Sequence, residues 1–493
     1  MRVRPLESPE WELADIADVL GSAASGEAVV TGIALNTSHV QTGDLYAALP
    51  GANAHGASYV EQAVANGAVA VLTDPAGAEL VGDTLPTVVV DEPRRRLADL
   101  SATFYGHPAE SFTTLGVTGT QGKTTTTYLA EAALRDRVSA VVGTIGTRIG
   151  TVPAASTLTT PEAPQLQALF AVMREEQVEL CAMEVSSHAL VQGRVDGFVF
   201  DVAVFLNLGR DHLDFHHDLE DYFLAKAALF TADRARHAVI NVDDAHGRRL
   251  RELTPLPVTT FSTDGNAADW RAVNIRPHRL GTDLEVLGPD DLAIDLSVPL
   301  PGVFNVSNAL AVIAALATAG HDPAELALGI AASTGVPGRM EHVEAGQAFT
   351  AIVDYAHKPD AVTAVLSALR PVTAGRLIIV IGAGGDRDHG KRPLMGEAAS
   401  RHADVVIVTD DNPRSERAAS IRAAVLEGAS SGAAVAIEIA GRREAIAHAV
   451  AMAHLGDTVV VAGKGHERGQ EIDGVVHPFD DRDVLVELIG EKP

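Results

Sequence analysis

Cysteine is nearly absent from this chain: Cys181 is alone among 493 residues. A single thiol excludes an intrachain disulfide and any zinc site built on cysteines. Aromatic residues are sparse, at 4%. No apolar run reaches the length that crosses a bilayer. Met1–Glu10 is charged and has no apolar stretch of the kind a secretory leader carries, so a cytoplasmic location is expected. Basic residues are also short: 38 Lys and Arg against 65 Asp and Glu give a net charge of −27. That balance argues against nucleic acid or an anionic membrane as a principal partner. It leaves room for anionic small molecules, since local Arg and Lys can reverse the sign inside a pocket. A chain this long exceeds one hydrophobic core, and several domains are expected.

What is present centres on Gly116-Val-Thr-Gly-Thr-Gln-Gly-Lys-Thr-Thr-Thr-Thr127. The apolar run Phe112–Val117 enters it as a strand, and Thr124–Leu134 leaves it with helical character. Between them Gly119, Thr120, Gln121, Gly122, Lys123, Thr124 and Thr125 form a loop suited to nucleotide phosphates. Glycines let backbone N–H groups converge, the helix N-terminus and Lys123 add positive charge, and Thr124 offers a hydroxyl to Mg2+. In the usual G-x-x-x-x-G-K-[ST] pattern the first glycine falls at Val117; here Gly116 comes one place early and Gly119 two places late.

Three stretches follow from the pattern of apolar runs and turns. Residues 1–110 read as a small α/β unit, with strands at Ala28–Ile33, Asp44–Ala48, Ala68–Thr73 and Thr87–Val90 and a helix at Tyr59–Asn66. Residues 111–338 alternate strands (Ser139–Thr144, Glu179–Val185, Val202–Asn207, Ala238–Asn241) with helices (Pro164–Gln177, Leu219–Ala232), which implies a mostly parallel sheet. A turn-rich insertion, Val258–Val298, and two helices (Asn305–Gly320 and Pro323–Ser333) lead to a hinge-like Gly335-Val-Pro-Gly338. Residues 339–493 start a second α/β series. Three of its strands, Leu377–Ile381, Val405–Thr409 and Thr458–Ala462, end in the loops Gly382–Asp388, Asp410–Arg414 and Gly463–Glu467. Ligands of parallel sheets sit at such carboxyl ends.

Several side chains stand out. Glu184 closes an otherwise apolar strand beside the phosphate loop, a place from which a carboxylate holds Mg2+. His212 lies in the loop after Val202–Asn207; its spacing alone suits a metal ligand or an ordinary hydrogen-bonded histidine. Lys226 is a lone cation on an apolar helix. It either snorkels to water or is a buried amine, for which burial disfavours the charge. Thr159, Thr160, Gln192 and Arg194 are polar loop residues, compatible with an anionic substrate or with plain turns.

Together these motifs resemble the Mur ligase family over essentially the whole chain. Phe304-Asn305 with Asn308, Gly338-Arg-Met-Glu341 and Asp354-Tyr-Ala-His-Lys-Pro359 fall in the family's order. Met183–Leu190 and Gly384–Asp388 through Lys391–Met395 resemble the members that add the third residue of the peptide. The resemblance implies an α/β protein of three domains: a small N-terminal UDP-binding domain (1–110), a central P-loop ATPase-like domain with a mostly parallel sheet (111–338) and a C-terminal Rossmann-like amino-acid-binding domain (339–493). It implies an ATP-dependent, ADP-forming ligase of cytoplasmic peptidoglycan precursor synthesis, monomeric, with two Mg2+ ions. Its partners would be ATP, UDP-N-acetylmuramoyl-L-Ala-D-Glu and a diamino acid. Gly119–Thr125 would cradle the phosphates, with Thr124 and Glu184 on one Mg2+ and His212 and Lys226, as its carbamate, on the other. Asn305, Arg339 and Asp354 would reach the nucleotide after domain closure about Gly335–Gly338. Thr159, Thr160, Ser186, Gln192 and Arg194 would hold the muramoyl-dipeptide; Thr37 and the loop Ala52-Asn53-Ala54 would touch the UDP.

For the amino acid, the resemblance points to Arg387, Asp411-Asn412-Pro413-Arg414, Gly463 and Glu467. An Arg at 414 suits the distal carboxylate of meso-diaminopimelate, which lysine lacks. L-Lysine and L-ornithine are the alternative substrates. A folylpolyglutamate synthetase and a D-Ala-D-Ala-adding ligase fit the Asp411–Arg414 loop and the Met183–Leu190 run less well. A P-loop switch protein without ligase activity is the alternative of another class.

Overall fold

The computed structural model describes residues 3–51, 53–154, 158–212 and 215–491. Its contacts divide the chain into two compact units. One comprises residues 1–262, 266–270 and 311–326; the other comprises 263–265, 271–310 and 327–493.

The first unit opens with a four-stranded parallel sheet, Gly32–Ala34, Asp44–Ala47, Ala68–Thr73 and Thr87–Val89, in that order. The strand expected over Ala28–Ile33 is divided. Val29–Val30 pairs antiparallel with Trp11–Glu12, and Gly32–Ala34 joins the parallel sheet. Glycine is required at the division: a Cβ on Gly32 would collide with the Arg4–Asp44 ion pair that lies across it. Helices Leu13–Leu20, Pro75–Val81 and Pro93–Phe104, which the apolar pattern does not single out, pack with this sheet.

The same unit holds the central sheet. Its parallel strands run Ser139–Gly143, Leu180–Glu184, Thr113–Thr118, Phe200–Phe205, Ala235–Asn241 and Val258–Ser262. An antiparallel flap, Gly146–Ile149 and Val152–Ala154, extends one side. Leu180–Glu184 therefore lies between two partners and is wholly buried, as its apolar composition requires. Gly116 belongs to the strand and not to the phosphate loop. A Cβ there would sit 2.9 Å from the Phe200 ring, so the residue makes room for an aromatic core. The helix expected over Leu219–Ala232 spans only Leu219–Ala227. Downstream groups capture its continuation: the Ala228 carbonyl accepts from Arg234 Nη1 (3.1 Å) and Thr231 Oγ (3.3 Å).

In the second unit, Gly281–Leu287 pairs antiparallel with the strands on either side of it in sequence, ending at Ala293–Val298. Further on, the strand order is Glu341–His342, Thr350–Asp354, Thr458–Ala462, Leu377–Ile381, Val405–Val408 and Val435–Glu438, all parallel but the first pair. Leu377–Ile381 and Thr458–Ala462 are buried along their whole lengths and fall residue for residue where the apolar runs place them. The three strands with ligand-type loops are consecutive neighbours in the sheet. An antiparallel hairpin, Gly469–Ile472 with Val475–Pro478, follows the third loop. The Gly335–Gly338 segment is a tight turn closed by a bridge between Val336 and Arg339, and φ is +93° at Gly335 and +65° at Gly338.

Candidate active site

The phosphate loop is built as its sequence requires. Thr113–Thr118 delivers the chain to it, and the helix Lys123–Ala133 leaves from Gly122, whose φ of +90° suits glycine. Lys123 Nζ donates to the carbonyls of Gly119 (2.9 Å) and Thr120 (3.2 Å), so the cation rests over the loop. Asn207 laces the loop from the end of the neighbouring strand. Its Oδ1 accepts from the amides of Thr120 (3.1 Å) and Gln121 (2.9 Å), and its Nδ2 donates to the Gln121 carbonyl (3.1 Å). Sequence reasoning passed over Asn207. The signal was the one that marked Glu184, a polar residue closing an apolar strand. Thr125 is buried in the first turn of the helix.

Thr124 Oγ donates to Glu184 Oε1 at 2.9 Å, and both residues are buried. Glu184 also accepts from the Thr144 amide (2.8 Å) and, on Oε2, from the Thr144 hydroxyl (3.1 Å). The carboxylate is walled by the opposite strand end: a Cβ on Gly143 would collide with Oε1 and sit 2.9 Å from Cδ. A hydroxyl and a carboxylate held together in a buried cleft are the hard oxygen donors that suit Mg2+.

Lys226 is buried and does not snorkel; 1% of it is exposed. Its Nζ donates to the Gly119 carbonyl at 3.0 Å and stands 4.6 Å from the centre of the Tyr222 ring. Tyr222 OH in turn lies 3.3 Å from Thr120 Oγ, which ties the Lys226 helix to the phosphate loop. Burial raises the Tyr222 phenol well above its ordinary value. His212, at φ +51°, places its ring 4.9 Å from His188 and 6.0 Å from Tyr222. Its loop neighbours Leu213 and Asp214 lie outside the described residues. Among the described residues no group of three His, Cys, Asp or Glu side chains has a metal-holding arrangement.

The five residues expected at the dipeptide form one network at the end of Leu180–Glu184. Thr160 Oγ donates to the Glu184 carbonyl (2.8 Å) and accepts from the Ser186 amide (3.2 Å). Thr159 Oγ lies 3.2 Å from Thr144 Oγ. Arg194 donates to the Thr160 carbonyl (3.1 Å) and to Gln192 Oε1 (2.7 Å), and pairs with Glu162 (2.9 Å). Thr37 opens the short 3-10 helix Thr37–His39 after Gly32–Ala34, and Asn53 lies in the loop after the adjacent strand Asp44–Ala47. His39, two residues beyond Thr37, contacts Gln165 of the helix Ala163–Glu175. Ala52 lies outside the described residues.

In the second unit, Asn305 is buried and donates to the Pro301 carbonyl (2.8 Å). Asp354 accepts from the amides of Met340 (2.8 Å) and Ala356 (2.8 Å), and burial pushes its carboxyl above the ordinary range. The Arg339 guanidinium lies 4.5 Å from the centre of the Tyr355 ring. The three strand-end loops meet through Asn412, whose carbonyl accepts from the Gly385 amide (2.9 Å), whose Nδ2 donates to Glu467 Oε2 (2.9 Å) and whose Oδ1 accepts from Lys464 Nζ (3.0 Å). Lys464, fully buried and also 3.2 Å from Glu467 Oε2, is a residue the sequence did not flag. Gly463 is pressed against Asp411: a Cβ there, at φ +114°, would meet Oδ2 at 2.6 Å. Pro413 packs its carbonyl against Gly385, and Arg414 Nη1 donates to the Gly385 carbonyl (2.7 Å). Arg387 is exposed on the first of the three loops.

A phosphate loop on a central parallel sheet, followed by a sheet with three loops at the carboxyl ends of its strands, is the organisation of an α/β protein that binds a nucleotide and a second ligand. Three family models match in order: Mur ligase family, catalytic domain, over 29–105; Mur ligase middle domain over 117–316; and Mur ligase, glutamate ligase domain, over 338–465. The chain belongs to the Mur ligase family. It is 55% identical to the UDP-N-acetylmuramoyl-L-alanyl-D-glutamate–2,6-diaminopimelate ligase of Streptomyces coelicolor, over 99% of this chain and 98% of the relative. The enzyme of the same name from Corynebacterium glutamicum is 48% identical over 95% and 93%. A solved structure of a ligase with that name superposes with a TM-score of 0.68 at 36% identity, covering 93% of this chain and 94% of the other.

Proposed function

We propose that this chain joins meso-diaminopimelate to the D-Glu carboxylate of UDP-N-acetylmuramoyl-L-Ala-D-Glu, at the expense of ATP, in cytoplasmic peptidoglycan precursor synthesis. The observation that carries the reading is full-length similarity, at 55% identity, to a ligase bearing that name. The γ-phosphoryl group of ATP passes to a carboxylate oxygen, giving an acyl phosphate and ADP. The amine of the diamino acid attacks the acyl carbon, the tetrahedral adduct collapses, and phosphate leaves with the C–O bond as the amine loses its proton.

In this reading Gly119–Thr125 holds the phosphates, and Lys123 lies over the loop to meet the charge that gathers when carboxylate and triphosphate approach. Thr124 and Glu184 would hold one Mg2+; His212 and Lys226, once its amine has taken up CO2 as a carbamate, would hold a second. Bound there, Mg2+ would offset negative charge on the phosphates. Thr159, Thr160, Ser186, Gln192 and Arg194 present donors to the dipeptide, with Arg194 oriented by Glu162. Thr37 and Asn53 serve the UDP end, and Asn305, Arg339 and Asp354 the nucleotide. The amino acid lies among Arg387, Asp411, Asn412, Pro413, Arg414, Gly463 and Glu467, with its distal carboxylate on Arg414. The functional division is 1–110, 111–338 and 339–493, and the working form is a monomer. Among the described residues no helix is long and apolar enough to cross a membrane.

The test is phosphate release by the purified protein with ATP, Mg2+ and the UDP-muramoyl dipeptide, offering meso-diaminopimelate, L-lysine or L-ornithine in turn. Turnover with diaminopimelate alone is expected. Turnover with lysine or ornithine instead keeps the ligase and discards the Arg414 assignment. ATP turnover indifferent to any amine discards the ligase.

A further inference from the structure

Arg414 is not held by its own loop alone. Its φ is +53°, a left-handed conformation uncommon for a residue that carries a Cβ, and the hairpin that follows the third ligand loop fixes it there. The Arg414 amide donates to the Glu471 carbonyl (3.0 Å), and its carbonyl accepts from the Asp473 amide (2.8 Å). The Glu471 amide donates to Asn412 Oδ1 (3.0 Å), and Gln470 Nε2 donates to the Asp411 carbonyl (2.6 Å). The strand Gly469–Ile472 is thus laced along the Asp411–Arg414 loop by main-chain and side-chain bonds together.

The hairpin also brings a charge. Glu471 Oε2 stands 3.2 Å from Arg414 Nε, with both side chains partly exposed, at 39% and 25%. The guanidinium therefore has one edge toward a resident carboxylate and Nη1 on the Gly385 carbonyl. A carboxylate that arrives at Arg414 meets a nearly neutral pair and not an isolated cation.

We infer that Glu471 is a specificity-setting residue: it is the resident counter-ion of Arg414, and it weakens the pull of that arginine on the distal carboxylate of the incoming diamino acid. The inference rests on the proposed ligase reading, in which Arg414 faces that carboxylate. The backbone bonds and the Gly385 contact keep Arg414 oriented whatever residue 471 carries, so the effect of Glu471 on the substrate is one of charge.

Glu471→Gln keeps the shape and an acceptor for Arg414 Nε while removing the anion. The expected result is a KM for meso-diaminopimelate lower by roughly two- to five-fold, the range a partly exposed ion pair commands. KM for ATP and for the UDP-muramoyl dipeptide should stay put, and kcat should change little. Glu471→Asp, which keeps the charge, should return KM toward the parent value. A purely structural role would move kcat, thermal stability or all three KM values together and leave Gln and Asp alike. An unchanged or raised diaminopimelate KM in Glu471→Gln, with the parent protein active, overturns the inference and leaves the ligase reading intact. Absence of amine-dependent turnover in the parent protein overturns the ligase reading itself, and this inference with it.

Discussion

Removing one half of the Arg442–Asp481 pair is expected to damage the second unit severely. Each residue opens a helix, Arg442–Met452 and Asp481–Gly490, and each side chain is 0% exposed. The contact is bidentate: Nε donates to Oδ1 at 2.7 Å and Nη2 to Oδ2 at 2.6 Å. Nη2 also donates to the Ala462 carbonyl at 3.0 Å, and Nη1 lies 3.4 Å from the Asp410 carbonyl. The Asp410 carbonyl opens the second ligand loop, and the Ala462 carbonyl stands just before the third. Asp481→Asn leaves a buried guanidinium with neutral acceptors only. Uncompensated buried charges of this kind cost about 3–5 kcal/mol. Urea unfolding followed by circular dichroism gives the total. Hydrogen exchange at the amides of Leu377–Ile381 and Thr458–Ala462 assigns the loss to this sheet. The double variant Arg442→Met, Asp481→Leu removes both charges and is expected to recover most of the stability. It should keep a raised KM for the amino acid, because the Ala462 and Asp410 carbonyls have lost their clamp. A loss below about 1 kcal/mol in Asp481→Asn, the scale of an exposed pair, would refute the reasoning.

Lys226→Ala is expected to abolish most ligase activity, with partial recovery on adding a short-chain carboxylic acid; full activity in the plain variant would remove the carbamate role. Arg414→Ala should raise the diaminopimelate KM by roughly ten-fold or more while leaving the ATP KM unchanged, since the proposed charge-assisted contact to the distal carboxylate would be lost; an unchanged amino-acid KM would show that the distal carboxylate binds elsewhere. Burial holds the His357 and His466 imidazoles down to about 4 from an ordinary 6.5. The unfolded chain therefore takes up protons before the folded one does. Stability should be full above about pH 6.5 and fall as the pH drops toward 4, through the interval set by those two values. Urea midpoints across that interval should show a shallower slope in His357→Gln; an identical slope would exclude His357 as a source.

Residues whose chemistry is local were legible in the sequence. The phosphate loop needs its glycines, lysine and threonine in one run, and Glu184 announced itself by ending an apolar strand. The three ligand loops were legible because each follows a strand of continuous aliphatic residues. Lys226 was ambiguous on its helix, since the carbonyl that receives its Nζ belongs to Gly119, 107 positions away. Only the family resemblance pointed to it. Arg194 looked like a turn residue for the same reason: its partners Thr160 and Glu162 come from another loop, and Gln192 joins them only through Arg194. Glu471 escaped notice because the hairpin is short and largely exposed and no apolar alternation marks it, and Lys464 because its partners Asn412 and Glu467 are met only when the loops fold together. Gly116 was offset from the phosphate-loop pattern because its task is steric, against a Phe200 ring that sequence distance conceals.

The three ligand loops leave adjacent strands, Thr458–Ala462, Leu377–Ile381 and Val405–Val408. Neighbouring strands are spaced evenly, so the sheet acts as a ruler whose outer marks lie two spacings apart, roughly 10 Å. Above the sheet the two outer loops close that interval, with Asn412 Nδ2 donating to Glu467 Oε2 at 2.9 Å. Diaminopimelate and lysine differ only in the carboxylate at one end, so in the proposed reading the choice between them would fall to the Arg414 side of these joined loops. A change of substrate would then require rewriting one loop and the hairpin laced to it, with the sheet, the nucleotide site and the remaining loops left as they are.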